Sequence, residues 1–312
     1  MAKKVSTKIQ EFDGRRTTWL NVSEANLHTL RELNARFPLH EHDLRELLPP
    51  LQNTKCIIRK NYVFLVLILP VRDERTREIH EVELDIILNE NTLITVNHAN
   101  RLIEMVSILD EMGNAASRER FLSESPSNVL LNILEKIYRS VFPLLLELSR
   151  DIREVEDKMF TSYDNEKIIK DVLMLKNNNT HVRKALKTHR YTLIQLKDAV
   201  SELAPVNIVN FNQVINQTVD IWNSLEADRE TIANLHDTMS TLVSNHINKI
   251  MKILTSVSTI IFSLEFVATL FALNTPSGSP FFSLPYGFLI VNGTMLVVAL
   301  VSIAYFRMRK WI

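Results

Sequence analysis

The chain has 312 residues, 36 basic and 36 acidic, and a mean hydropathy of zero. That balance leaves no overall field to gather a nucleic acid. The one cysteine, Cys56, excludes an intrachain disulfide and fits a reducing compartment. The hydropathy average also conceals a polar region up to Lys252 and an apolar one after it.

From Thr7 to Val22, β-branched and aromatic residues surround Asp13-Gly14, which predicts extended structure; Ser23 reads as the N-cap of a helix carrying Leu27, Leu30, Leu33 and Phe37. Short runs rich in Val, Ile and Leu predict strands at Thr54 to Ile58, Tyr62 to Pro70, His80 to Asn89 and Thr92 to Asn97. Asn89-Glu90-Asn91 is a hairpin turn between the last two. The expectation is an antiparallel or mixed sheet with helices against it. After Asn100 the pattern becomes helical: Leu102 to Met112, Ser127 to Phe160 with a kink at Pro143, and Tyr163 to Leu203 with an interruption at Asn177-Asn178-Asn179. Pro205 resets the chain, and neither proline nor glycine occurs between Asn207 and Leu273. One helix of that length measures ~100 Å.

The end of the chain carries two apolar stretches, 253–273 and 287–306, each near the ~20 residues a helix needs to cross a bilayer. Their connection, 274–286, holds three prolines and no charge. Lys249 and Lys252 precede the first stretch, and Arg307, Arg309 and Lys310 follow the second, beside an interfacial Trp311. Flanking basic residues favour the cytosolic side, so both termini are expected in the cytoplasm and 274–286 outside. Neither a cleavable leader nor an Arg-rich, acid-poor transit segment is recognisable, which points to the plasma membrane of a prokaryote. The predicted organisation is a cytoplasmic α/β domain (1–125), a helical hairpin region (126–206), a stalk helix (207–252) and a transmembrane domain (253–312) ending in a cytoplasmic tail, 307–312.

Asn248, Met251, Thr255, Ser258, Phe262, Glu265, Thr269 and Ala272 recur at spacings of three and four, giving the first span one small or polar side. Such a side serves helix packing or an ion path. Glu265 argues for the path, because a mid-span carboxylate costs about 2.5 to 3.5 kcal/mol unless it meets a partner or water. One helix encloses nothing, so a path also requires an oligomer.

Several of these segments resemble the CorA-type two-transmembrane divalent-cation channels. Thr17-Thr18-Trp19-Leu20-Asn21-Val22 is similar to the family's early Trp-containing strand, Leu39 to Leu48 to its following helix, and Asn248 to Leu254 (NKIMKIL) to the neck of its pore. Ser263 to Asn274 and Arg309-Lys310-Trp311-Ile312 complete the likeness, which extends over essentially the whole chain. The resemblance implies a homopentameric funnel in a lipid bilayer, with the stalk helix lining the pore, transporting Mg²⁺ or another divalent ion such as Zn²⁺, Co²⁺ or Ni²⁺. It puts the neck residues at Asn248, Met251 and Leu254, and Glu265 where the family has a mid-pore threonine. The family's outer Tyr-Gly-Met-Asn falls on Phe271-Ala272-Leu273-Asn274, retaining only Asn274 as a ligand for hydrated cation. Glu265 and Asn274 are thus the metal-contacting candidates. The regulatory Asp of the family falls on Gln213 and a nearby acid on Asn216, with Asp237 kept, while Thr275 to Tyr286 lacks any acid. These departures leave two alternatives beside Mg²⁺ transport: a transition-metal or proton-coupled transporter similar to the ZntB branch, and a non-conducting membrane scaffold.

His40, Glu41, His42 and Asp43 have the chemistry of metal ligands but read more simply as a polar helix start. Glu147, Arg150, Asp151, Arg153, Glu154, Glu156, Asp157 and Lys158 read as a solvated helix face. No phosphate-binding glycine loop, paired-cysteine site or HExxH pattern is present, so an enzyme is not expected.

Overall fold

The computed structural model describes residues 9–49, 52–98, 101–161, 165–203, 206–272 and 286–311. They fall into two compact units, Met1–Leu235 and His236–Ile312.

The first unit is built on a six-stranded sheet of order β1-β2-β6-β5-β4-β3. Its strands are β1 (Ile9–Asp13), β2 (Thr18–Val22), β3 (Lys55–Ile58), β4 (Val63–Arg72), β5 (Ile79–Leu88) and β6 (Thr92–Asn97). Only β2 and β6 run parallel, as the mixed-sheet expectation allows. Asn89 makes the β5–β6 turn: its Oδ1 accepts from the amides of Asn91 (3.1 Å) and Thr92 (2.7 Å), the local side-chain bond that suits Asn to turns. β4, β5 and β6 are buried along nearly all their length, which is why they read as apolar runs instead of alternating patterns.

Helices α1 (Leu27–Arg36) and α2 (Glu41–Glu46) attach to one side of this sheet through Arg36–Glu11 (2.6 Å) and Lys55–Glu46 (2.5 Å). The N-cap of α1 is Asn26, not Ser23. Its Oδ1 receives the amides of His28 (3.0 Å) and Thr29 (2.9 Å), so the helix starts later than the pattern suggested. The remaining helices of the unit are α3 (Ile103–Glu111), α4 (Ala115–Leu122), α5 (Pro126–Thr161), α6 (Asn165–Leu186) and α7 (His189–Leu203). The sequence pattern does not predict α4, because eight residues supply too few repeats to display a helical period. It brings Phe121 against Trp19 (6.1 Å between rings), and Trp19 Nε1 donates to Thr95 Oγ1 (3.0 Å) across the β2–β6 pair.

α5 continues through Pro143, whose ring sits on an exposed face. The helix after it breaks at Lys187-Thr188 and not at the asparagine run. Asn178 Oδ1 accepts from the Ile79 amide (3.0 Å) and its Nδ2 donates to the Arg77 carbonyl (2.8 Å), while Asn179 Nδ2 donates to the Leu225 carbonyl (3.1 Å). These amides fasten α6 to its neighbours, so residues that read as a helix interruption are tertiary clasps. The charged face of α5 likewise does more than meet solvent. Asp151 is buried and binds Arg72 at 2.7 Å, and Arg77 binds Glu154 at 3.1 Å.

α8 runs unbroken from Ile208 to Ala272, as the absence of proline and glycine predicts. Within the first unit its Phe211, Val214, Ile215, Ile221, Leu225, Ile232 and Leu235 are buried. The second unit contains the remainder of α8 and α9 (Gly287–Met308).

Candidate ion pathway and membrane helices

Both C-terminal helices are long and apolar enough to cross a membrane, and their apolar windows are almost entirely exposed in the single chain. That exposure separates them from core helices of a soluble domain, whose apolar faces are covered. In α9 the less exposed positions are Gly287, Val291, Met295, Val298, Ala299, Ser302 and Phe306, spaced by four and three. In α8 they include Ser256, Ile260, Ser263, Leu264, Val267 and Phe271, on a stripe of the same period. Small residues on such stripes let membrane helices approach closely.

The predicted ion-facing residues lie on the other side of α8. Asn248, Met251, Leu254, Thr255, Ser258, Phe262, Glu265, Thr269 and Ala272 fall within an arc of about 120° at 3.6 residues per turn. All are exposed except Ser258, which is half-covered. Met251 is 53% and Phe262 66% exposed although both are large and apolar, so this face is left open by its own chain. Thr255 Oγ1 donates to the Met251 carbonyl (2.7 Å) and Thr269 Oγ1 to the Glu265 carbonyl (2.8 Å), leaving hydroxyl lone pairs outward as acceptors. Glu265 has no ion-pair partner among the described residues. Leu273, Asn274 and the connection up to residue 285 lie outside the described residues.

At the end of α9, Arg307 and Arg309 are exposed, and Arg309 lies 5.8 Å from the Tyr305 ring. Lys310 turns the chain with φ 55°, and Trp311 returns against Phe306, ring centroids 5.8 Å apart. Gln213, Asn216 and Asp237 are all exposed on α8.

In the polar segment at His40 the side chains bond within the fold. His40 caps α2 by accepting the His42 amide on Nδ1 (3.2 Å), and Asp43 accepts from Arg59 Nε (2.9 Å), Arg59 Nη2 (2.5 Å) and Tyr62 Oη (2.6 Å). Burial opposes the Asp43 charge, but the bonds from Arg59 and Tyr62 outweigh it and hold the carboxyl below its ordinary range.

A different cluster escaped the sequence reading. Ligand-capable atoms of Glu83, Asp85 and His98 lie within 4.8 Å of one another. Glu83 and Asp85 share one face of β5, and continuing the β5–β6 register by one step places His98 opposite Glu83. Burial, and then the neighbouring Asp85, pushes Glu83 up to about 7; burial raises Asp85; Asp85 in turn raises His98. Two acids at alternate positions of an otherwise apolar strand were the visible signal, but nothing local links them to a histidine thirteen residues on from Asp85.

A family model described as CorA-like Mg2+ transporter protein matches residues 14–309. The cobalt/magnesium transport protein CorA of Thermotoga maritima is 23% identical over 96% of this chain and 85% of its own length. That of Methanocaldococcus jannaschii is 24% identical over 99% and 96%. The complete structure of the latter organism's CorA magnesium transporter superposes with a TM-score of 0.80 at 22% identity, covering 99% of this chain and 94% of that one. With the family pattern matched from the β1–β2 turn to the basic end of α9, the chain belongs to the CorA-like Mg2+ transporter family.

Proposed function

We propose that the protein transports Mg²⁺ across the plasma membrane of a prokaryote as a homopentamer whose α8 helices line the ion path and whose α9 helices stand outside them. The carrying observation is the division of α8 into a covered stripe and an open one bearing Asn248, Met251, Thr255, Glu265 and Thr269. An open polar stripe on a membrane helix is stable only against other subunits or water, and a ring of copies supplies both. Five-fold assembly is what the family resemblance implies. Both relatives named above are cobalt/magnesium transport proteins, which supports a hard or borderline divalent cargo and a transporter rather than a catalyst. Asn274, which the family resemblance puts at the outer mouth, would offer its amide to the waters that Mg²⁺ gives up reluctantly. Basic residues at Lys249, Lys252, Arg307, Arg309 and Lys310 support cytosolic termini.

A second reading, transport of Zn²⁺, Co²⁺ or Ni²⁺, is favoured by Glu265, because a carboxylate ring binds a partly dehydrated cation directly. One experiment addresses both. Purified protein in liposomes is supplied with each of the four cations at two pH values, alongside Glu265→Gln. Mg²⁺ entry by the parent with altered selectivity in the variant is expected. Entry of the transition ions alone would favour the second reading, and no entry of any cation would leave a scaffold.

A further inference from the structure

We propose that Glu83, Asp85 and His98 form a binding site for one divalent transition-metal ion of the Zn²⁺ type inside the α/β unit, separate from the membrane helices. The site does not depend on whether the protein conducts.

Asp85 is the main evidence. It has no exposed surface, sits in the middle of a six-stranded sheet, and neither carboxylate oxygen receives a hydrogen bond. Its nearest charged neighbour, His98 Nε2, stands 3.5 Å from Oδ2 without hydrogen-bond geometry. A fully buried carboxylate whose two oxygens take no hydrogen bond, and whose one charged neighbour within 4 Å is a half-buried imidazole, costs several kcal/mol, and a cation between the two would satisfy it. The 3.5 Å separation is also close to the roughly 3.4 Å edge of a tetrahedron whose centre is ~2.1 Å from each ligand atom. Glu83 is already oriented, since its Oε2 accepts the Gln52 amide at 2.5 Å, an outer bond of the kind that fixes metal ligands. His98 is about a quarter exposed and provides the route of entry.

The surrounding charges favour a cation over an empty site. Glu46 of α2 adds negative charge toward Asp85, and its Oε2 is also buried without a partner. Lys55 of β3 and His42 of α2 are bound to the other Glu46 oxygen, at 2.5 and 3.5 Å. Two carboxylates and a neutral imidazole neutralise one divalent ion. One nitrogen and two oxygen donors suit Zn²⁺ or Co²⁺, whereas Mg²⁺ prefers an octahedral shell of oxygens with retained waters.

The test uses chelator-stripped full-length protein in detergent, titrated with Co²⁺ and followed by its ligand-field absorption, with Zn²⁺ in competition. The parent, Asp85→Asn, His98→Gln and Glu265→Gln are compared. The expected result is a tetrahedral Co²⁺ spectrum at one ion per chain, displaced by Zn²⁺, weakened about 100-fold or more in the first two variants, and intact in Glu265→Gln. Ligand binding should also raise the parent's melting temperature but not that of Asp85→Asn. Asparagine is isosteric and gives up only the 3.5 Å ion pair with His98, so metal-free Asp85→Asn should still unfold in one cooperative transition. A spectrum unchanged in Asp85→Asn and His98→Gln, or no bound Co²⁺ in a folded parent, would overturn the site.

Discussion

His189 should make the α/β unit sensitive to acid. The imidazole is fully buried at the start of α7, with Nδ1 2.6 Å from Tyr138 Oη and Nε2 3.2 Å from Thr54 Oγ1. Thr54 Oγ1 in turn accepts the Ile68 amide (3.0 Å), and among the described residues no carboxylate pairs with the ring. Burial lowers its pKa from the ordinary 6.5 to about 4. A base with a depressed folded-state pKa binds fewer protons folded than unfolded. Its contribution is therefore complete above pH 6.5 and lost as the pH falls toward 4. Between pH 7.5 and 5.0 those two values give a loss of about 2 kcal/mol. At roughly 2–4 °C per kcal/mol for a domain of this size, the melting temperature should fall by about 4–8 °C. Glu83 and His98, both raised, act with the opposite sign in the same window, so the measurement is a difference. Thermal unfolding of the parent and of His189→Gln, each at pH 7.5 and 5.0, isolates the imidazole. The parent should lose about 2 kcal/mol more than the variant. Equal pH dependence in both would refute a neutral, buried His189.

Gly14→Ala should destabilise the first unit by about 2 kcal/mol in a thermal melt, since its Cβ would stand 2.1 Å from Leu122 Cβ and within 3 Å of two carbonyl oxygens. Asp43→Asn should cost about 2 kcal/mol, less than a fully buried pair because Arg59 remains 30% exposed; an unchanged melt would show that the Arg59–Tyr62 network adds nothing. For topology, Ser279→Cys should label with an impermeant maleimide in intact cells and the exposed Ala116→Cys only after lysis, both in a Cys56→Ser background; labelling of Ala116→Cys in intact cells would reverse the orientation. Gln213 lacks the charge that offsets dehydration of a hard cation, so inter-subunit crosslinking of the stalk should barely change between EDTA and millimolar Mg²⁺, and strong Mg²⁺ protection would show that another acidic cluster senses the ion.

Much of this molecule was legible because its signals are local. Two apolar stretches, an uninterrupted run from Asn207 onward and dense Val, Ile and Leu segments determine the membrane helices, α8 and the central strands through backbone geometry and hydration alone. The polar stripe of α8 was equally legible, since 3.6 residues per turn is a property of one helix. What the sequence could not express was which polar residues meet across the fold. Asn178 and Asn179 read as an interruption because asparagine is a poor helix former in isolation; their amides reach Ile79, Arg77 and Leu225 only once α6 lies beside the sheet and α8. Asp43 lost its appearance as a metal ligand to Arg59, sixteen residues away. Asp85 and His98 gained that appearance because strand pairing, not spacing, brings them together. Local preference is set by each residue's own backbone and solvation, whereas the satisfaction of a buried charge depends on partners that only the folded chain assembles.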